Sequence, residues 1–118
     1  MSAFCGATSA GIGAACGIAW LDGGDYEVIA HTIVNGLAIL SGMVCDGAKP
    51  SCAAKIATAV RNGLLGYQMY RQGCQFYGGD GIVTKGVDNT IANVGILAKE
   101  GMQETDRTIL HIMTHRCD

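Results

Sequence analysis

The chain has 118 residues, a net charge of −2 and 15% charged residues, against 49% hydrophobic ones. This length predicts a single domain over residues 1–118, and the weak, scattered charge excludes nucleic acid as a partner. No apolar stretch is long enough to span a bilayer and no secretory signal opens the sequence, so we expect a cytoplasmic protein whose apolar surface is covered by missing sequence or by a second copy.

Apolar residues recur at helical spacing along most of the chain and predict an all-α bundle of about five helices. The first helix covers 9–22 and stops at Gly23 and Gly24. The second follows Asp25, a typical N-cap residue, and runs over 26–45. A turn over 46–50 leads into a third helix over 51–72.

The helical pattern breaks over residues 73–86. The run Gly-Gly-Asp-Gly at 78–81 predicts a turn, and residues 82–84 are typical of one short strand. A fourth helix is expected over 90–97, capped by Asp88 or Asn89, and the last helix begins near Thr105.

Cys5, Cys45 and Cys52 follow the pattern C-x39-C-x6-C, with each cysteine at a predicted helix end. A cytoplasmic chain keeps its thiols reduced, which favours a metal, a cluster or catalysis over disulfides. Helix N-termini at this junction would favour anionic sulfur. The spacing alone leaves three alternatives: an iron–sulfur cluster, a zinc site, or buried cysteines that act as small hydrophobic residues.

Four stretches of the sequence resemble the C-terminal third of the L-cysteine desulfidase family, which is related to the iron–sulfur L-serine dehydratase alpha chain. These stretches are 5–7, 11–17, 45–52 and 100–106. The most specific is 45–52, which reads Cys-Asp-Gly-Ala-Lys-Pro-Ser-Cys and contains the last two cysteines of the spacing pattern. The spacing agrees better with the desulfidase branch. The resemblance implies that Cys5, Cys45 and Cys52 hold a [4Fe–4S] cluster with one open iron. Cys117 is a candidate fourth ligand, the alternative being a frayed terminus.

The resemblance also implies a β-eliminating lyase that works without pyridoxal phosphate. Its substrate is a small amino acid: L-cysteine gives pyruvate, ammonia and sulfide, whereas L-serine gives pyruvate and ammonia. Lys49 and Asp46, between two ligands, are candidate substrate-binding residues, with a turn-and-cap role as the alternative. The catalytic base is unknown. Family members are several times longer, so the chain is expected to be inactive without an N-terminal portion. A cluster-free helical module that self-associates is the second hypothesis.

The remaining cysteines and histidines give weaker signals. Cys16 lies among small residues in the first helix and is interpreted as structural. His31 is interpreted as a core or interface residue. His111 and His115 have the four-residue spacing of some metal ligands, but a solvated helix end is the favoured interpretation.

Overall fold

Residues 4–115 are described by the structure, a computed structural model, and they fold into five α-helices. The helices are α1 (Ala7–Leu21), α2 (Tyr26–Ile39), α3 (Ser51–Arg71), α4 (Val87–Ile96) and α5 (Gln103–His115), with a π-helical turn (Leu97–Gly101) between the last two. Within this range the only β pairing is an isolated antiparallel bridge between Phe4 and Val44. The predicted all-α class and the irregular segment over 73–86 are confirmed.

Helices α1 and α3 meet through glycine, with backbone against backbone. A Cβ atom added at Gly11 would lie 2.3 Å from the carbonyl carbon of Ala59, and one at Gly63 would lie 2.7 Å from the Gly11 carbonyl oxygen. Ala15 and Ala59 are fully buried at this contact. The small residues of α1 and α3 at this contact therefore determine how closely the two helices pack.

Buried asparagines tie α2 to α3 and to the segment that follows α3. The Asn35 amide donates to the carbonyl oxygens of Gly66 (3.0 Å) and Cys74 (3.3 Å), and its own oxygen accepts from the Phe76 amide. The Asn62 amide donates to Gly36 O at 3.0 Å. Because Asn35 is fully buried, these bonds give its polar atoms the partners that burial requires.

The predicted strand over residues 82–84 is wrong, because helix α4 binds this segment instead of a neighbouring strand. The buried Thr90 hydroxyl donates to Thr84 O and accepts from the Thr84 amide, at 3.1 and 3.2 Å. The Asn93 amide donates to Ile82 O at 3.0 Å. Side chains of α4 thus make the backbone hydrogen bonds that a neighbouring strand would otherwise make.

Several predicted helix boundaries also need correction. The second helix ends at Ile39 instead of residue 45, because Leu40 is extended (φ −142°, ψ 93°). Helix α4 begins at Val87, and its N-cap residue is Gly86 instead of Asp88 or Asn89. Helix α5 begins at Gln103, slightly before the predicted start near Thr105. The Asp25 cap is confirmed, since its carboxylate accepts from the Val28 amide.

Helix α5 makes little contact with the bundle. None of its residues is buried, and the apolar side chains of Leu110, Ile112 and Met113 are all exposed. The radius of gyration is 15.4 Å, above the roughly 13.5 Å expected of a compact chain of this length. Among the described residues, no helix is long and apolar enough to cross a bilayer.

Replacing Gly11 with alanine is expected to destabilise the fold by at least about 2 kcal/mol, because the new methyl group meets the Ala59 backbone. Urea unfolding of the purified chain measures the change. Gly17→Ala in the same helix is the matched control: its Cβ meets nothing within 4 Å, so stability should rise by about 0.5–1 kcal/mol. Equal effects of the two substitutions would contradict the close α1–α3 contact.

Candidate metal centre

The antiparallel bridge between Phe4 and Val44 brings two of the predicted ligands onto neighbouring segments. The Cys5 amide donates to Met43 O across this bridge. Cys5 and Cys45 each follow a bridged residue directly. In a regular antiparallel pair side chains alternate between the two faces, so positions 5 and 45 would lie diagonally on one face with Cβ atoms up to about 7–8 Å apart.

Cys52, the third predicted ligand, lies in the first turn of α3. Its thiol donates to Gly47 O, with the sulfur 3.6 Å from that oxygen. Gly47 has φ +93°, a conformation that favours glycine, and here the loop between Cys45 and Cys52 turns back over the start of α3. Cys52 and Cys5 are half-buried, whereas Cys45 is exposed.

Lys55 fixes the loop that carries Cys45. Its ammonium group donates to Val44 O and to Asp46 Oδ1, each at 2.9 Å. The other oxygen of Asp46 pairs with Lys49. Lys55 was not predicted from the sequence, although its position one helical turn after Cys52 was an available signal.

Asp46 and Lys49, the predicted substrate-binding residues, are partners of each other in this structure. Both oxygens of the carboxylate are bound by lysines, so the group is already neutralised within the loop. Both side chains remain about one third exposed. Substrate binding by these two residues stays a prediction.

The three thiols are carried on connected segments, but they do not form a closed metal site. Within residues 4–115, no group of three histidine, cysteine, aspartate or glutamate side chains is arranged so that it could hold a metal ion. All three cysteines are free thiols, the kind of donor that binds iron–sulfur clusters. In the described residues, however, they are not already arranged around one metal site. Cys117 lies outside the described residues.

The other cysteines and histidines make local contacts. Burial raises the pKa of the Cys16 thiol, whose sulfur lies 4.0 Å from Ile29 O. Cys74 is exposed. The His31 ring stacks on Tyr70 with centroids 4.5 Å apart, which agrees with an interface or core role. His111 and His115 also stack on each other, and the His115 Nδ1 atom lies 3.2 Å from His111 O.

Comparison with known proteins gives one family. The sequence profile described as serine dehydratase alpha chain matches residues 1–111. A UPF0597 protein of Desulfitobacterium hafniense is 64% identical over 99% of this chain, which is 27% of that relative. Others from Finegoldia magna and Treponema denticola are 50% and 47% identical over 98% and 96% of the chain, covering 28% and 26% of their own lengths. The chain thus spans about a quarter of these curated relatives. No solved structure matches it.

Replacing Lys55 with methionine is expected to loosen the Cys45 loop while changing stability by only about 1 kcal/mol, because ion pairs that solvent still reaches contribute little. Alkylation of Cys45, followed by mass spectrometry, should become faster by about twofold or more. Lys99→Met is the matched control, since Lys99 is exposed and has no partner among the described residues. An unchanged Cys45 rate would mean that Lys55 does not hold the loop.

Alkylation of Cys16 should respond to pH differently in the folded and the unfolded chain. Because burial raises the pKa of this thiol, the unreactive protonated form persists to higher pH in the folded state. The midpoint of its pH–rate curve should therefore shift upward on folding, and it should react after the exposed Cys45 and Cys74. Identical curves in buffer and in denaturant would contradict this burial.

Proposed function

The chain belongs to the serine dehydratase alpha chain family, and from that premise we propose that Cys5, Cys45 and Cys52 together bind an iron–sulfur cluster in a β-eliminating lyase. Its substrate is a small amino acid, L-cysteine or L-serine. In this proposal the chain contributes the thiol ligands and the loop that carries them. The remaining polypeptide of the full-length relatives contributes the rest of the active site.

The observation that carries the proposal is the linkage of the three cysteine-bearing segments. The bridge of Phe4 with Val44 joins the first two, and Lys55 of α3 binds Val44 O. Cys52 lies on the same helix, three residues before Lys55. One backbone bridge and one side-chain hydrogen bond thus connect the segments of all three cysteines, although Cys5 and Cys52 are 47 positions apart in sequence.

Positive charge surrounds the loop that carries Cys45. Cys52 lies in the first turn of a helix of 21 residues, where the positive end of the helix dipole favours a bound anion. Lys55 and Lys49 place two cations around the loop, and Asp46 neutralises part of that charge. The residues of this chain therefore position the thiols beside positive charge.

A bound cluster would supply a Lewis acid that polarises the leaving group of the amino acid. The residues of this chain would hold the cluster through three thiols, one of which lies on the loop that Lys55 binds. The ionisable side chains of the loop, Asp46 and Lys49, are paired with each other, and Asp46 also pairs with Lys55. We therefore assign the catalytic base to the portion of the full-length protein that the chain does not span.

Self-association without a cluster is the second candidate, and the exposure of large apolar side chains around the α1–α2 turn favours it. Trp20, Leu21 and Tyr26 are 65%, 84% and 72% exposed. A chain that binds a cluster contains iron, whereas a dimer without a cluster contains none. Sedimentation together with an iron assay separates them.

Anaerobic reconstitution with ferrous iron and sulfide is expected to give a brown protein with about four iron atoms per chain. Cys5→Ser, Cys45→Ser and Cys52→Ser should each lose most of the iron and visible absorbance, because three ligands leave none to spare. Cys16→Ser and Cys74→Ser are matched controls that should retain both. A colourless wild-type protein, or iron that depends on Cys16 or Cys74, would refute this ligand set.

The reconstituted chain is expected to release neither sulfide from L-cysteine nor pyruvate from L-serine, because it spans only 27% of the relative from Desulfitobacterium hafniense. Colorimetric sulfide and pyruvate assays check this. Turnover by the isolated chain would place the missing base within these 118 residues.

A further inference from the structure

An apolar groove of about 590 Å³ lies between α1, α2 and α4 and reaches Cys5 at one end. We call it the α1–α2–α4 groove. Apolar atoms form most of its surface, and no charged residue lines it. The main wall residues are Ile12, Ile29, Ile33, Leu37, Ile91 and Val94.

We infer that this groove seats an apolar segment of the polypeptide that makes up the other three quarters of the full-length family members. The chain covers between 26% and 28% of the relatives described above, so most of their polypeptide lies outside it. The inference rests on family membership and on the groove, and it does not require the cluster.

The absence of charge in the walls argues against the amino-acid substrate as the occupant. A zwitterion placed in this groove would lose its hydration without gaining an ion pair, which is costly. An apolar polypeptide segment pays no such cost and gains from burying the walls. Ile91, for example, is 45% exposed although it faces the groove.

One polar feature specifies what the segment must carry. Thr8 is only 3% exposed and lines the groove, yet its hydroxyl has no hydrogen-bond partner among the described residues. It lies at the start of α1, whose N-cap residue Gly6 makes no side-chain cap. Buried hydroxyl groups and first-turn amides are normally paired. The docked segment therefore presents a neutral oxygen acceptor, such as a backbone carbonyl, to the Thr8 hydroxyl.

Two glycines leave room for close approach of that segment. Cβ atoms added at Gly13 in α1 and at Gly95 in α4 would meet nothing within 4 Å, and both residues line the groove. Inside the isolated chain, larger side chains fit at these positions. They would clash only with an occupant.

The test compares two proteins: the chain itself, and the Desulfitobacterium hafniense relative with its matching segment replaced by this chain. In the isolated chain, Gly13→Leu and Thr8→Val should leave the melting temperature unchanged or raise it. In the full-length chimera, each should lower it by about 3 °C or more, because the leucine displaces the docked segment and the valine removes its hydrogen-bond donor. Gly17→Leu is the matched control, since Gly17 also has open space but does not line the groove.

Effects of the same sign in both proteins would overturn the inference. So would a dimer of the isolated chain that Gly13→Leu dissociates, because the occupant would then be a second copy. A small molecule retained by the chimera in native mass spectrometry and lost with Gly13→Leu would overturn it as well.

If the chimera does not fold, a second measurement uses the intact relative with cysteine at the position aligned with Gly13. That thiol should be alkylated more slowly than the thiol of Gly13→Cys in the isolated chain, and equal rates would overturn the inference. Both experiments measure docking and neither measures iron, so failure of docking and failure of the cluster proposal are distinguishable.

Discussion

The backbone contact between α1 and α3 at Gly11 and Gly63 is the constraint on which the rest of the structure depends. It leaves no space for a side chain at either position and fixes the separation and rotation of the two helices. Cys5 lies two residues before α1, and Cys52 lies in the first turn of α3. The same contact therefore sets how far apart these two thiols can be.

The loop between α2 and α3 is held in a different way, by the bridge of Val44 with Phe4 and by one polar side chain. Lys55 binds Val44 O and Asp46, and it remains 20% exposed. Such contacts position a loop at low energetic cost and allow it to move. A rigid helix pair that carries a movable loop suits a centre whose ligands close around a bulky inorganic group. It also accounts for the absence of a preassembled metal site among the described residues.

Much of the fold could be predicted from local signals. Helical periodicity located the five helices, and Asp25 capped α2 as its residue type indicates. The errors arose where distant contacts decide the structure. The apolar run over 40–44 continues the helical pattern, but Phe4 pairs with Val44 from the other end of the chain. Residues 82–84 have strand composition, yet Thr90 satisfies their backbone.

The candidate site was predictable to a similar degree. The motif at 45–52 identified the family, which the matching profile confirms, whereas ligation by Cys5, Cys45 and Cys52 stays a prediction. Sequence periodicity could not reveal the α1–α2–α4 groove, because Ile12, Ile29 and Ile33 have the pattern of ordinary core residues. Only the structure shows that Ile29 and Ile33 stay partly exposed along an open groove.

The central claim is that three cysteines surround one iron–sulfur cluster, and iron anomalous scattering from anaerobically grown crystals tests it most directly. The account predicts a single iron peak cluster in contact with the sulfurs of Cys5, Cys45 and Cys52. Iron bound elsewhere, or three sulfurs that remain more than about 10 Å apart in an iron-loaded protein, would contradict it.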